Sequence, residues 1–138
     1  MVVTNEKIAQ QSSAPVKARI LAYHTSGGEP KDLFVAPVAA VQGALKKAKL
    51  TTDDIDVFEI NEAFAAQMLA CLKQLNLDPS KVNPQGGGIS IGHPIGASGA
   101  RCLVTLMHTL NRVGGRLGVV SLCLGGGNAV AMVIERQS

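Results

Sequence analysis

Three polar residues in glycine-rich or strand-to-helix settings are the candidates for chemistry, and His93 is the first. It stands in the segment GGGISIGHPIGASGAR, residues 86–101. Glycines around a histidine leave room for a ligand where side chains would otherwise enclose it, and Pro94 fixes the chain direction after it. The segment matches neither of the two common phosphate-binding glycine patterns. We therefore predict a ligand beside the imidazole of His93, and we take His24 and His108 as ordinary polar residues.

Cys123 is the second candidate, at the end of a strand-like run in SLCLGGGNAV. The glycines after it offer backbone N–H groups that can face a substrate oxygen, as in an oxyanion hole. The alternative is a tight hairpin with an incidental cysteine, and the residues alone leave both open. Cys71 and Cys102 lie in apolar helical stretches, which indicates buried small side chains. Three cysteines without a C-x-x-C pair argue against a disulfide framework or a zinc site and favour a reducing compartment.

Asn61 is the third candidate, in the tetrapeptide NEAF between a strand and a helix. Ligands of open α/β sheets bind beyond the carboxyl ends of the strands. Taken alone, however, the tetrapeptide favours plain helix capping, with Asn61 near the N-cap and Glu62 in the first turn. Together the three candidates bring an amide, an imidazole and a thiol to the ends of elements, which predicts one shared site at one edge of a sheet.

The elements that must position these residues alternate along the chain. Strand-like runs are VKARILAY, a short run that follows the acidic turn within TTDDIDVFEI, a brief run within DPSKVNPQGGG, and two runs in RLGVVSLCLGGGNAVAMVIER. Helical runs are PVAAVQGALKKAKL, NEAFAAQMLACLKQLNL and IGASGARCLVTLMHTLNRVGG. This order predicts an α/β domain with a five-stranded mixed sheet, mostly parallel with one antiparallel strand, helices on both faces and a C-terminal β-hairpin. The opening MVVTNE reads like the second half of a strand, which predicts that the chain begins inside a longer protein.

Length and composition limit the function classes. The chain has 138 residues, 46% hydrophobic and 17% charged, which is typical of one globular domain. Apolar runs are too short to span a membrane, and the N-terminus has no signal-peptide pattern. The net charge of +3 is spread out, and one Tyr without any Trp gives little support for nucleic-acid binding. We expect a cytoplasmic protein, with an organelle matrix as the open alternative.

At this point the sequence resembles the thiolases, acyl-CoA C-acetyltransferases that make or cleave 3-ketoacyl-CoA. Their motifs N-E-A-F, G-G-x-x-x-x-G-H-P-x-G-x-S-G and C-x-G occur here in the same order, at residues 61–64, 86–99 and 123–125. The resemblance covers nearly the whole chain. The related ketoacyl synthases share the glycine-rich C-terminal turn, but they have a histidine at the position of Asn61 and lack the cysteine at Cys123. Those two positions favour a thiolase.

The resemblance implies a role for each candidate residue. His93 would contact a nucleophilic cysteine and, with a water held by Asn61, stabilise the thioester oxygen. Cys123 would shuttle the proton at the α-carbon, and the backbone N–H of Gly125 would help to bind the second oxyanion. The acyl or pantetheine pocket would be lined by Phe64, Leu33, Gly92 and Gly126. No metal and no cofactor are implied, because coenzyme A enters as the thioester substrate.

The resemblance also implies a missing part. The acyl-accepting cysteine of thiolases sits in an N-terminal half, and neither Cys71 nor Cys102 has its setting. Residues 1–138 therefore resemble the C-terminal domain alone, inactive until an N-terminal half is supplied. Expected partners are that half, acyl-CoA and, in a homo-oligomer, further copies; nucleic acid and membrane are not expected. The alternative is a non-catalytic thiolase-like module that binds acyl-CoA or a protein.

Overall fold

The computed structural model describes residues 1–137. Five helices and four strands follow one another as α1 Glu6–Gln11, β1 Lys17–Gly27, α2 Ala36–Ala48, β2 Val57–Ile60, α3 Ala65–Leu75, α4 Gly88–Ile91, α5 Ser98–Val113, β3 Leu117–Leu124 and β4 Asn128–Gln137. Short 3₁₀ turns occupy Pro30–Val35, Pro79–Lys81 and Gly125–Gly127. The α/β alternation predicted from the sequence is confirmed.

The sheet has four strands in the order β1-β4-β3-β2, so the prediction of five is wrong. The run expected to form the fifth strand makes a single bridge, between Val82 and Phe58. Asn83 follows at once with a left-handed φ of 45°, which turns the chain away. Its side chain then replaces a strand, because Oδ1 accepts from the N–H of Ile60 at 2.9 Å and Nδ2 donates to the Ile60 carbonyl at 2.8 Å. The side-chain amide of Asn83 thus satisfies the backbone hydrogen-bonding groups of Ile60 at the outer edge of β2.

The sheet is mixed, but it is not mostly parallel as expected. Only β2 and β3 are parallel, whereas β4 pairs antiparallel with both β3 and β1. The reason lies in β1, which joins the far edge of the C-terminal hairpin and does not pair with β2. The hairpin itself is confirmed, with β3 and β4 joined through the three-glycine turn.

Helices cover both faces, as predicted. On one face α2 and α3 pack on the sheet around Val41, Phe58 and Val119. On the other face α5 packs around Leu106 and Val120. The two clusters alternate along β2, β3 and β4, which is the period-2 pattern of strands buried on both sides. This sandwiching holds the ends of β2 and β3 in fixed positions.

The N-terminal segment does not continue a strand, so that expectation is wrong for the described residues. Residues 1–5 have no regular structure, and α1 begins after Asn5, whose Oδ1 accepts from the N–H of Ile8 at 3.0 Å. Asparagine is a favoured N-cap, and this contact favours a helix where the apolar residues alone had indicated a strand. Among residues 1–137 no helix combines the length and apolar character that a membrane crossing requires.

Candidate active site

Asn61 lies directly beyond the carboxyl end of β2. It is fully buried, and its N–H donates to the carbonyl of Ser121 in β3 at 2.9 Å. Helix α3 begins only at Ala65, with Phe64 as the N-cap residue. The capping interpretation of Asn61 is therefore wrong, because three residues separate it from the helix. Its side chain does not cap the helix and lies at the edge of the sheet where β2 and β3 end, which we call the carboxyl edge.

His93 meets Asn61 at this edge. Its Nε2 lies 3.3 Å from the side-chain nitrogen of Asn61, and its Nδ1 lies 2.6 Å from Oγ of Ser98. Ser98 is fully buried at the first position of α5, and its hydroxyl also lies 3.1 Å from the Pro94 carbonyl. His93 is exposed, as expected of a histidine that serves a ligand. Two of the three candidates are thus in contact.

Glu62 anchors the loop that leads to His93, a role the sequence did not reveal. One carboxylate oxygen accepts from Nδ2 of Asn83 and the other from the N–H of Ile89, both at 3.0 Å. A β-carbon on Gly87 would lie 2.6 Å from the Glu62 carboxyl carbon, and one on Gly88 2.7 Å from the Glu62 carbonyl oxygen. The glycines before His93 therefore allow close backbone approach. Glu62 is not a first-turn residue of α3, since that helix starts later.

A buried ion pair supports Asn61 from behind. Arg101 in α5 donates through Nη2 to Oδ1 of Asn61 at 3.3 Å and through Nη1 to Oε2 of Glu59 at 3.5 Å. Glu59 is fully buried, and burial raises the pKa of its carboxyl to about 7 although the charge of Arg101 opposes the rise. Sequence reasoning missed both residues. The available signal was a lone acid inside the four-residue buried strand VFEI.

Cys123 reaches the same carboxyl edge from the other face of the sheet. It lies two residues after Ser121 in β3, where alternation places it with Val119 on the face covered by α2 and α3. Asn61 contacts α5 on the opposite face. Within residues 1–137 no side-chain hydrogen bond joins Cys123 to the other two candidates. Its union with His93 in one pocket stays a prediction.

The environment of Cys123 is half-buried, and burial raises the pKa of its thiol. Cys71 in α3 is fully buried on the same face; burial chiefly raises the pKa of its thiol, and a charge on Cys123 adds to the rise. Cys102 is fully buried as well, and burial raises the pKa of that thiol to about 11. The prediction that Cys71 and Cys102 are buried small side chains is confirmed.

The glycine turn after Cys123 is open on one side and tightly packed on the other. A β-carbon on Gly125 would meet nothing within 4 Å, which leaves its backbone approachable. Gly126 has a φ of 77° that favours glycine. Gly127 has a φ of 88°, and a β-carbon there would lie 2.5 Å from the Gly28 carbonyl oxygen. The turn is therefore held against the segment after β1.

The predicted pocket residues Phe64 and Leu33 lie near the face of Cys123. Phe64 is 60% exposed and packs edge-on against Phe34, with ring centroids 5.2 Å apart. Leu33 is half-buried in the 3₁₀ turn that packs against the glycine turn. The carbonyl of Phe34 accepts from the thiol of Cys71 at 3.6 Å. Phe34 was not anticipated, although it directly follows Leu33.

A metal centre finds no support in the part of the chain that the structure describes. Residues 1–137 hold no group of three or more His, Cys, Asp or Glu side chains placed to bind one ion.

Comparison with known proteins decides the family. Residues 14–136 match the family model described as "Thiolase, C-terminal domain". The chain belongs to this family.

Relatives of this thiolase C-terminal domain are themselves much longer. The cytosolic acetyl-CoA acetyltransferase of Mus musculus is 48% identical over 136 residues, 99% of this chain and 34% of that protein. The mitochondrial 3-ketoacyl-CoA thiolase of Bos taurus is 45% identical over 138 residues, 100% of this chain and 35% of that protein. The crystal structure of the Bacillus anthracis acetyl-CoA acetyltransferase superposes with a TM-score of 0.90 at 46% identity, covering 96% of this chain and 34% of that one. The chain spans about a third of the length of its relatives.

In this thiolase domain, Gly92 sets the direction in which the chain enters His93. Its φ of 91° and ψ of 167° lie in a region open essentially only to glycine. We expect Gly92→Ala to lower the free energy of unfolding by about 1–3 kcal/mol and to displace His93 from Asn61. Urea unfolding of the purified chain measures the first effect.

Gly96→Ala is the matched control, because Gly96 lies in the same loop without a positive φ and a β-carbon there meets nothing within 4 Å. We expect it to change the unfolding free energy by less than about 0.5 kcal/mol. Equal losses in the two variants would contradict the assigned role of Gly92.

Proposed function

We propose that this thiolase C-terminal domain supplies Asn61, His93 and Cys123 for the reversible condensation and thiolysis of acyl-CoA, with acetoacetyl-CoA or another 3-ketoacyl-CoA as substrate. The contact between the Asn61 amide and the His93 imidazole at the carboxyl edge carries the proposal. Such an edge is where open α/β sheets bind ligands. The names of the relatives, acetyl-CoA acetyltransferase and 3-ketoacyl-CoA thiolase, agree with this chemistry.

In the proposed reaction His93 takes the proton of an acyl-accepting cysteine that an N-terminal half contributes. The protonated His93 and a water held by Asn61 then stabilise the negative charge that develops on the thioester oxygen. Cys123 moves the proton at the α-carbon, and the exposed N–H of Gly125 binds the second oxyanion. Because burial raises the pKa of Cys123 in the chain by itself, the completed site must lower it, and a nearby imidazolium does this in many thiol enzymes.

The partners follow from the same proposal. Residues 1–138 act as a C-terminal domain, joined by an N-terminal half from the same or a separate chain. Acyl-CoA binds as substrate, with Phe64, Leu33, Gly92 and Gly126 along its acyl or pantetheine arm, and no further cofactor is required. The complete protein forms a homo-oligomer, in the cytoplasm or in an organelle matrix.

Acetylation by acetyl-CoA tests the proposal directly. We expect no acetyl adduct and no thiolysis of acetoacetyl-CoA with the isolated chain, because a covalent intermediate needs a nucleophile that this chain lacks. Adding the N-terminal half of a thiolase as a separate polypeptide should restore both. Intact-mass spectrometry detects the acetyl adduct, and peptide mass spectrometry locates it. The loss of the absorbance of the acetoacetyl-CoA enolate measures thiolysis.

Two results would overturn the proposal. A stable acetyl group on Cys123 of the isolated chain would make Cys123 the nucleophile. Binding of acyl-CoA without turnover, in a demonstrated complex with the N-terminal half, would favour the non-catalytic module.

A further inference from the structure

The contacts around His93 form one chain of hydrogen bonds whose two ends have fixed character. At one end stands Arg101, whose guanidinium can only donate. At the other end stands the backbone carbonyl of Pro94, which can only accept. Between them lie Asn61, His93 and Ser98, joined by contacts of 3.3, 3.3, 2.6 and 3.1 Å. Each inner group can donate and accept, so the ends decide the direction.

The direction follows step by step from Arg101. The atom of Asn61 that faces the guanidinium of Arg101 must be the oxygen. An amide nitrogen there would place its hydrogens against the N–H groups of the guanidinium. The thiol of Cys102, which can donate to the same oxygen at 3.8 Å, agrees with this orientation. The amide nitrogen of Asn61 therefore faces His93 and donates to Nε2. Nε2 must then carry a lone pair, which places the proton of the neutral imidazole on Nδ1.

The remaining two bonds agree with that proton position. Nδ1–H donates to Oγ of Ser98, and the Ser98 hydroxyl hydrogen turns to the Pro94 carbonyl. In the opposite arrangement the Ser98 hydroxyl would donate to Nδ1, and Nε2–H would confront the amide hydrogens of Asn61. One donor-to-donor contact at 3.3 Å would result, and because Asn61 is fully buried its amide hydrogens would have no water to bind instead.

We infer that Arg101 and Ser98 are positioning residues that hold His93 in the Nδ1–H tautomer, with Glu59 orienting Arg101. The carboxylate of Glu59 fixes Nη1 of Arg101 and so aims Nη2 at Asn61. The significance of this inference rests on the proposed function, since a lone pair on Nε2 is what a base at the carboxyl edge needs. The tautomer itself can be measured without any reaction.

Long-range ¹H–¹⁵N correlation spectra of the chain with ¹⁵N-labelled histidine provide the test. The chain has three histidines, and the spectrum of His93→Gln identifies the signals of His93. At a pH above about 8 an ordinary imidazole is neutral. We expect the Nδ1 signal of His93 in the pyrrole-type range and the Nε2 signal in the pyridine-type range. Signals in the reverse order would overturn the inference without any variant.

Four variants separate positioning from general disturbance. We expect Ser98→Ala and Arg101→Met to shrink the separation of the two His93 nitrogen signals, as fast exchange between tautomers sets in. Ser98→Thr keeps the hydroxyl and should restore the wild-type separation. Arg112→Met, at an exposed arginine of the same helix that contacts Gln85, is the matched control and should change nothing.

An unchanged His93 spectrum in both folded Ser98→Ala and folded Arg101→Met would overturn the inference. Far-ultraviolet circular dichroism establishes folding, and if one of these variants does not fold the other decides. A folded Ser98→Thr that loses the signature would also contradict it. Because these spectra involve neither substrate nor N-terminal half, their failure is distinguishable from a failed acetylation experiment.

Discussion

Replacing His93 with Ala is expected to lower the rate of acyl-enzyme formation by about a hundredfold or more once the N-terminal half is present. Cys123→Ala is expected to lower the rate of turnover by about a hundredfold or more while acylation stays measurable. The difference follows from when each side chain acts. In the proposed reaction His93 serves the nucleophile and the first oxyanion, both of which are needed to form the acyl-enzyme. Cys123 acts on the α-proton in the condensation direction and protonates the departing carbanion in thiolysis, so acylation by acetyl-CoA can precede its contribution.

The positions of the two residues support separate roles. His93 approaches the carboxyl edge from the α5 face and contacts Asn61, whereas Cys123 lies on the α2 and α3 face. Loss of the Cys123 thiol therefore removes no contact of the Asn61–His93 pair. Single-turnover acetylation by acetyl-CoA, followed by quenched-flow mass spectrometry, measures the first step, and steady-state thiolysis measures the whole cycle.

His108→Ala is the control, because His108 is exposed on α5 outside the site and should leave both rates unchanged. An equal loss of acylation in His93→Ala and Cys123→Ala would show that the role given to Cys123 is wrong.

The second large effect concerns stability and the buried carboxyl of Glu59. Burial raises its pKa from the usual 4.5 to about 7 in the folded chain. The folded state therefore binds the proton more tightly than the unfolded state. It follows that Glu59 lowers stability progressively as the pH rises from 4.5 through 7, and that the loss is complete above this window. The shift corresponds to an effect on the order of 3 kcal/mol.

Glu59→Gln removes the ionisation and keeps a similar shape. We expect the stability of this variant relative to wild type to increase by about 2–3 kcal/mol between roughly pH 5 and pH 8. Urea unfolding at several pH values measures the difference, and the comparison with wild type cancels the titrating groups that both proteins share. Glu29→Gln, at an exposed carboxylate, should follow the wild-type curve. A constant difference between Glu59→Gln and wild type would contradict the raised pKa.

Local patterns in the sequence were sufficient for most elements. The apolar spacing of α2 and α5 and the two runs of the hairpin appear in the structure where they were expected. The start of α3 was misjudged because Asn61 is a favoured N-cap residue, whereas tertiary contacts, among them the backbone bond to Ser121, hold it at the end of the strand. The predicted fifth strand does not form, because the side chain of Asn83 makes the hydrogen bonds to β2 that a neighbouring strand would have made. Neither effect is visible in local propensity.

Only those site residues that lie in a recognised sequence motif could be predicted from the sequence. His93 and Asn61 lie 32 residues apart in sequence, and their contact depends on the packing of α5 against β2. Arg101 and Glu59 carried no motif that the sequence reasoning used, and their role follows from burial and contact alone. The pairing of β1 could not be predicted either, because nothing in its composition favours the antiparallel pairing with β4 over a pairing with β2.

The pairing of β1 with β4 has a consequence for the order in which the chain folds. Lys17 pairs with Gln137, so the earliest strand closes onto the latest. Helix α2 packs on both β1 and β4. The part of this packing surface that β4 provides is therefore absent until residues 128–137 have left the ribosome. Contacts of such long sequence separation slow folding, because the loop must be closed before the contact forms. We expect β1 and α2 to remain a loosely held hairpin-like unit during synthesis and to dock last, onto a preformed β3–β4 hairpin.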